Sequence, residues 1–135
     1  MKKEVIKDKD RILAVILREG DFPEGLSFHT EEKDFVQLAT WYYNKGKKTS
    51  THSHKIAERK ADRTQEVIYL KRGKAKVEIY AEDDKLLSEI ILKAGDLIII
   101  FGGGHGFEIL EDGTQAIEFK NGPYLGLEKD RRLLI

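Results

Sequence analysis

An all-β fold, a small sandwich or barrel, is what the sequence predicts, and three observations predict it. Apolar residues recur at every second position in short runs, the pattern of strands rather than helices. Clusters of turn-forming Gly, Asp, Asn and Pro separate those runs at short, regular spacing. A chain of 135 residues has the usual size of one domain able to bury its own core, so residues 1–135 are read as a single domain.

The elements follow in order. Met1 to Asp10 is densely charged and reads as a disordered or edge segment. Ile12 to Leu17 is the first clear strand, and a loop around Phe22-Pro23-Glu24-Gly25 leads to a second over Phe35 to Tyr43. Glu66 to Lys71 and Lys74 to Ala81 form a hairpin through a tight turn at Arg72-Gly73. Asp83-Asp84-Lys85 turns the chain into Leu86 to Leu92, and Ala94-Gly95-Asp96 turns it into Leu97 to Phe101, a run apolar on both faces and so expected to be covered on both. His105 to Leu110 and Thr114 to Phe119, separated by Glu111-Asp112-Gly113, bring the count to about eight strands. Leu127 to Ile135 reads as a short helix or a final strand. Strict alternation assigns Val77, Ile79, Phe107 and Ile109 to the core and Lys76, Glu78 and Glu108 to solvent.

Composition removes several classes of function. There is no cysteine, so disulfides and thiolate ligands are excluded, and a transition-metal site must be built from imidazole and carboxylate. Basic and acidic side chains balance at 24 each, which gives no reason to expect a nucleic-acid or anionic-membrane partner. The longest apolar runs, Ile12 to Leu17 and Leu97 to Phe101, fall far short of the roughly 18 residues of a membrane span. Lys7, Asp8, Lys9 and Asp10 interrupt any export signal after Met1-Lys-Lys, so a soluble, cytoplasmic protein is expected.

The histidines carry the functional signal. The chain has four, and His52, His54 and His105 fall in or beside expected strands. His52 and His54 are two apart, so on an extended chain both imidazoles project from one face. Glu66 shares its parity with Ile68 and Leu70, and His105 shares its parity with Phe107 and Ile109, so all four side chains can look into one interior. His29 has no ligand partner near it in sequence and reads as a surface or packed histidine. Trp41, Tyr42 and Tyr43 read as core and rim aromatics, and Gly102-Gly103-Gly104 as a tight loop at the barrel mouth.

The spacing of these residues resembles the first motif of the cupin family: a glycine, five residues, His-x-His, a later glutamate, six residues and a glycine. Here Gly46 is followed by Lys47 to Thr51 and then His52-Ser53-His54, while Glu66 is followed by Val67 to Arg72 and then Gly73. Gly95, Asp96 to Ile100, Phe101, Gly102, Gly103, Gly104 and His105 resemble the second motif, and the likeness spans roughly Gly46 to Leu110. The chain departs from the pattern in two ways. Eleven residues separate His54 from Glu66, more than the family's usual three or four, and Phe101 stands where the second motif has proline. Glu58 sits at the family's usual distance from His54, but only Glu66 has the downstream glycine and opens a strand, so Glu66 is the expected ligand.

The resemblance implies a double-stranded β-helix, or jelly-roll, barrel that pairs as a homodimer. It implies one divalent transition-metal ion, Mn, Fe, Ni, Co or Zn, held by His52, His54, Glu66 and His105. Its implied ligand is a small polar molecule. The segment Lys120-Asn121-Gly122-Pro123-Tyr124 resembles the tail of small cupins tied to surface-sugar pathways, so a sugar or sugar-derivative isomerase or epimerase is the leading expectation. An Fe(II)-dependent dioxygenase and a non-catalytic small-molecule binding domain are the alternatives.

Overall fold

The structure, a computed structural model, describes residues 3–134. Ten strands, one short α-helix and a 3-10 turn (Glu19–Asp21) are present among them: β1 (Glu4–Asp8), β2 (Arg11–Leu17), β3 (Gly25–Phe28), β4 (Ala39–Tyr42), β5 (Glu66–Arg72), β6 (Lys74–Tyr80), β7 (Leu86–Lys93), β8 (Leu97–Ile100), β9 (Gly104–Ile109), β10 (Gln115–Lys120) and α1 (Leu127–Asp130). All ladders are antiparallel. A five-stranded sheet runs β1-β2-β8-β5-β10, a three-stranded sheet runs β7-β6-β9, and β3 and β4 make a separate hairpin. The all-β expectation is therefore met in its coarse form, as antiparallel sheets compatible with a sandwich, and no sheet closes on itself among the described residues.

The chain changes sheet at tight turns. Gly73 is the single residue between β5 and β6, with φ +89°, and a Cβ there would run into Thr114. Gly102 and Gly103 carry the chain from β8 to β9, and Gly103, at φ +72°, passes against the carbonyl of Tyr80. These crossings lay the two larger sheets face to face over one core. Ala14 and Ile16 from β2, Ile68 and Leu70 from β5, and Ile98 and Ile100 from β8 meet Val77, Ile79, Ile90 and Leu92 from the smaller sheet. A second cluster lies on the other side of the larger sheet, where Val15, Val67, Ile99 and Phe101 are covered by Val36 and Leu38. The run over 97–101 is thus buried on both faces, as its continuous apolar sequence predicts.

Three differences from the sequence reading have physical causes. The expected strand over Phe35 to Tyr43 shortens to Ala39–Tyr42, because the N–H groups of Phe35 and Val36 donate to the buried side-chain oxygen of Gln65 (2.7 and 3.3 Å) instead of to a ladder. Gly25–Phe28, read as loop and its margin, pairs with that shortened strand. Val77 and Ile79 are fully buried, but Phe107 and Ile109 are 42% and 61% exposed, which corrects their assignment to the core. Both face inward in register, opposite Val77 and Ala75, yet β9 is the outer strand of its sheet and its inner face stays partly open along that edge among the described residues. At the ends of the chain, β1 is an edge strand and α1 is the short helix, while Ile135 lies outside the described residues.

Candidate functional site

Glu66 opens β5, opposite Ile100 on β8 and Lys120 on β10, so its backbone is held by a ladder on each side. Its parity with Ile68 and Leu70 turns the carboxylate into the space between the sheets, where the side chain is 7% exposed. His105 is the second residue of β9, opposite Ile79, and it enters the same space from the other sheet. The glycine crossing at 102–104 puts it there, since any side chain at Gly103 would collide with the Tyr80 carbonyl and move the start of β9.

The two meet with His105 Nε2 2.5 Å from Glu66 Oε1. An ionised carboxylate only accepts, so the imidazole Nε2–H donates in this contact. Lys120 and Glu118 complete a polar cluster. Lys120 Nζ lies 3.9 Å from Glu66 Oε2 and 3.3 Å from Glu118 Oε1, and Glu118 is hydrogen-bonded to Glu66. Burial raises the Glu66 carboxyl, but the hydrogen bonds from His105 and Glu118 and the charges of His105 and Lys120 outweigh it and lower the group below its ordinary value. Glu118 moves the opposite way, raised by its hydrogen bond to Glu66, by burial and by the Glu66 charge, against the opposing pull of Lys120. The environment thus favours the ionised form of Glu66 and the protonated form of Glu118.

The four residues expected from sequence fall into two pairs. Glu66 and His105 are brought together across the sheets. His52 and His54 sit with their rings edge to face, centroids 5.1 Å apart, on the exposed stretch between β4 and β5, which carries no strand or helix. His52 Nδ1 is 2.9 Å from the Ser50 carbonyl. Among the described residues no group of three or more His, Cys, Asp or Glu side chains is gathered closely enough to hold a metal ion, so the two pairs are not joined. Glu58 lies exposed on the same stretch as the two histidines.

Comparison with known proteins returns no matching family model, no matching curated protein and no matching solved structure. The reading of this site therefore rests on its own chemistry. An imidazole and a buried, inward-facing carboxylate in contact are donors that suit a divalent transition metal. Glu66 and His105 match such an ion by donor type, although in this structure Nε2–H is directed at Oε1 itself. His52 and His54 fit it by donor type but are placed apart from the first pair.

Glu118 and Lys120 are the participants that sequence reasoning missed. Alternation along β10 gives Ile117 and Phe119 one face and Glu118 and Lys120 the other, and the apolar pair would ordinarily be taken as the buried one. Pairing with β5 reverses this, since Glu118 stands opposite Ile68 and Lys120 opposite Glu66, leaving Ile117 and Phe119 about half exposed on the outside. His29 is a packed histidine, buried and 2.8 Å from Thr40 Oγ1. Among the described residues no helix is long and apolar enough to cross a membrane.

Proposed function

We propose that the chain is a metal-dependent, jelly-roll protein of the cupin kind that binds a small polar molecule, a sugar or sugar derivative, where His105 of β9 meets Glu66 of β5 between the sheets. The observation that supports this is the 2.5 Å approach of His105 Nε2 to Glu66 Oε1 from opposite sheets. A buried carboxylate aimed at an imidazole is costly to build for stability alone, because each group must be desolvated and paired. Such pairs recur where chemistry requires them.

In this reading Glu66 and His105 hold a divalent ion such as Mn, Fe, Ni, Co or Zn, and His52 and His54 are brought to it by the stretch over 43–65. The bound ion supplies Lewis-acid polarisation of a ligand oxygen. The chain's own groups do the rest. Lys120 sets positive charge beside the carboxylates and orients a ligand hydroxyl or carbonyl. Glu118, whose carboxyl is raised above its ordinary value, is suited to donate a proton to a ligand oxygen as a general acid.

The test is elemental. The full-length protein is reconstituted with each of the five metals in turn, freed of excess ion and analysed. The reading expects about one ion per chain for at least one metal, falling on acidification because imidazole ligates only when unprotonated. Absence of bound metal after every reconstitution would leave Glu66 and His105 as a metal-free polar pair and end the proposal.

A further inference from the structure

The charge balance of the whole chain conceals a local imbalance. Between β4 and β5, residues 43–65 contain Lys45, Lys47, Lys48, Lys55, Arg59, Lys60 and Arg63 against only Glu58 and Asp62, a surplus of five positive charges in a chain with no net charge. Elsewhere several cations are matched: Arg11 meets Glu82, Lys76 meets Glu108 and Arg132 meets Asp84. In this stretch, among the described residues, only Arg63 meets a carboxylate, that of its neighbour Asp62 at 3.0 Å. The other six cations stand in solvent without a carboxylate partner.

A cavity of about 400 Å³ opens where the stretch leaves the β3–β4 hairpin, lined by Glu24, Tyr42, Tyr43, Asn44, Lys45 and Lys47. That size suits a small ligand. Its lining combines two ammonium groups, an amide and two phenol rings, with Glu24 as the only acid. Lys47 Nζ sits 5.2 Å from the centre of the Tyr43 ring, which restrains an otherwise free side chain beside the opening. Trp41 packs against the other end of the group, 6.4 Å from Tyr43.

We propose that this cavity, with the basic stretch running out of it, is a binding site for a phosphorylated small molecule. Lys45 and Lys47 take the phosphate oxygens as point charges with several donors each. The Tyr42 and Tyr43 rings offer apolar surface to the body of the ligand, and Asn44 and Glu24 can hydrogen-bond its hydroxyls. The remaining lysines and arginines raise the local concentration of anions around the opening. The site shares no residue with the Glu66–His105 cluster and stands or falls independently of the metal.

Trp41 is the only tryptophan, so its emission reports on the cavity. The full-length protein is titrated with inorganic pyrophosphate at low and at physiological salt, with Lys45→Gln/Lys47→Gln compared against Lys74→Gln/Lys76→Gln, which removes the same charge elsewhere. Expected are a saturable change in emission, affinity lowered roughly fivefold or more by salt, and affinity lowered at least about tenfold in the cavity variant but within about twofold of wild type in the control. Three results each overturn the proposal: no saturable response in wild type up to millimolar pyrophosphate, equal loss in both variants, or a duplex oligonucleotide that binds far more tightly than pyrophosphate and loses affinity equally in both variants. The last would identify a diffuse nucleic-acid surface in place of a small-molecule site.

Discussion

His105 reaches from the edge strand of one sheet to place Nε2 2.5 Å from Oε1 of Glu66 on an interior strand of the other. The carboxylate is set between two ladders, whereas the imidazole stands on an outer strand. Their contact couples the sheets at the point where the apolar core gives way to polar side chains.

That asymmetry predicts how metal retention responds to mutation. Glu66→Ala removes the rigidly held donor and should abolish retention of the ion, and His105→Ala should do the same. Glu58→Ala should leave retention within about threefold of wild type, because Glu58 lies in solvent on a stretch without regular structure. Equilibrium dialysis of the three variants checks this. An exchange of outcomes between the Glu66 and Glu58 variants would mean that the stretch over 43–65 folds onto the site in solution and supplies its own carboxylate.

The two-sided burial of β8 predicts its weight in stability. Ile99 is fully buried against Val15 and Val67, so Ile99→Ala should cost about 2–5 kcal/mol. Phe107→Ser changes a side chain that is 42% exposed on a partly open edge and should cost about 1 kcal/mol or less. Urea unfolding of the two variants, analysed for the free-energy difference, distinguishes a core that ends at β6 from one that extends over β9.

What the sequence made legible was periodicity and turn chemistry. The strands around Val77, Ile90 and Ile99 were readable because alternation or a continuous apolar run marks them, and Gly73 and Gly95 punctuate them. That Glu66 and His105 face one interior was readable because Glu66 shares its parity with buried Ile68 and Leu70, and His105 shares its parity with Phe107 and Ile109, which face inward although they are not covered. Phe107 was misjudged because alternation specifies a face but not whether anything covers it, which depends on the order of strands in the sheet. Glu118 and Lys120 were missed for the complementary reason, since only the register with β5 shows that their face is the inner one. The short strand before Tyr43 was overextended because a side chain, Gln65, replaces the ladder there, and no local pattern announces that.

Asp96 predicts an acid limb in stability. Burial raises its carboxyl, but the N–H groups of Lys93 and Glu19 and the Arg18 guanidinium outweigh it and hold the group below its ordinary value. A lowered folded-state value means that its contribution is complete above the unfolded value of about 3.9 and is lost as pH falls through the folded one. Asp96→Asn should destabilise by about 1–3 kcal/mol near neutral pH, and the difference from wild type should shrink towards about pH 3. Urea midpoints measured at the two pH values test this; a gap that stays constant with pH would show that Asp96 acts through shape and not through charge.

The glycine crossing into β9 allows a controlled comparison. Gly103 and Gly113 have nearly the same backbone, φ +72° and +73°, so an alanine at either incurs the same left-handed penalty of about 1–2 kcal/mol. They differ in surroundings. A Cβ at Gly113 meets nothing within 4 Å, while one at Gly103 runs into the Tyr80 carbonyl and comes within 3.1 Å of Leu13 Cδ1. The carbonyl belongs to β6, which pairs with β9 and is locked in the core, so the chain at 103 must give way instead. Gly113→Ala should therefore lose only the backbone term. Gly103→Ala should lose about 2–5 kcal/mol and displace the start of β9, carrying His105 away from Glu66. Two measurements separate the steps: thermal unfolding ranks the stabilities, and metal retention reads the position of His105 in whatever fraction remains folded. Equal destabilisation by the two alanines would show that β9 can shift without cost, and the close passage at Tyr80 would then not be what fixes His105 in place.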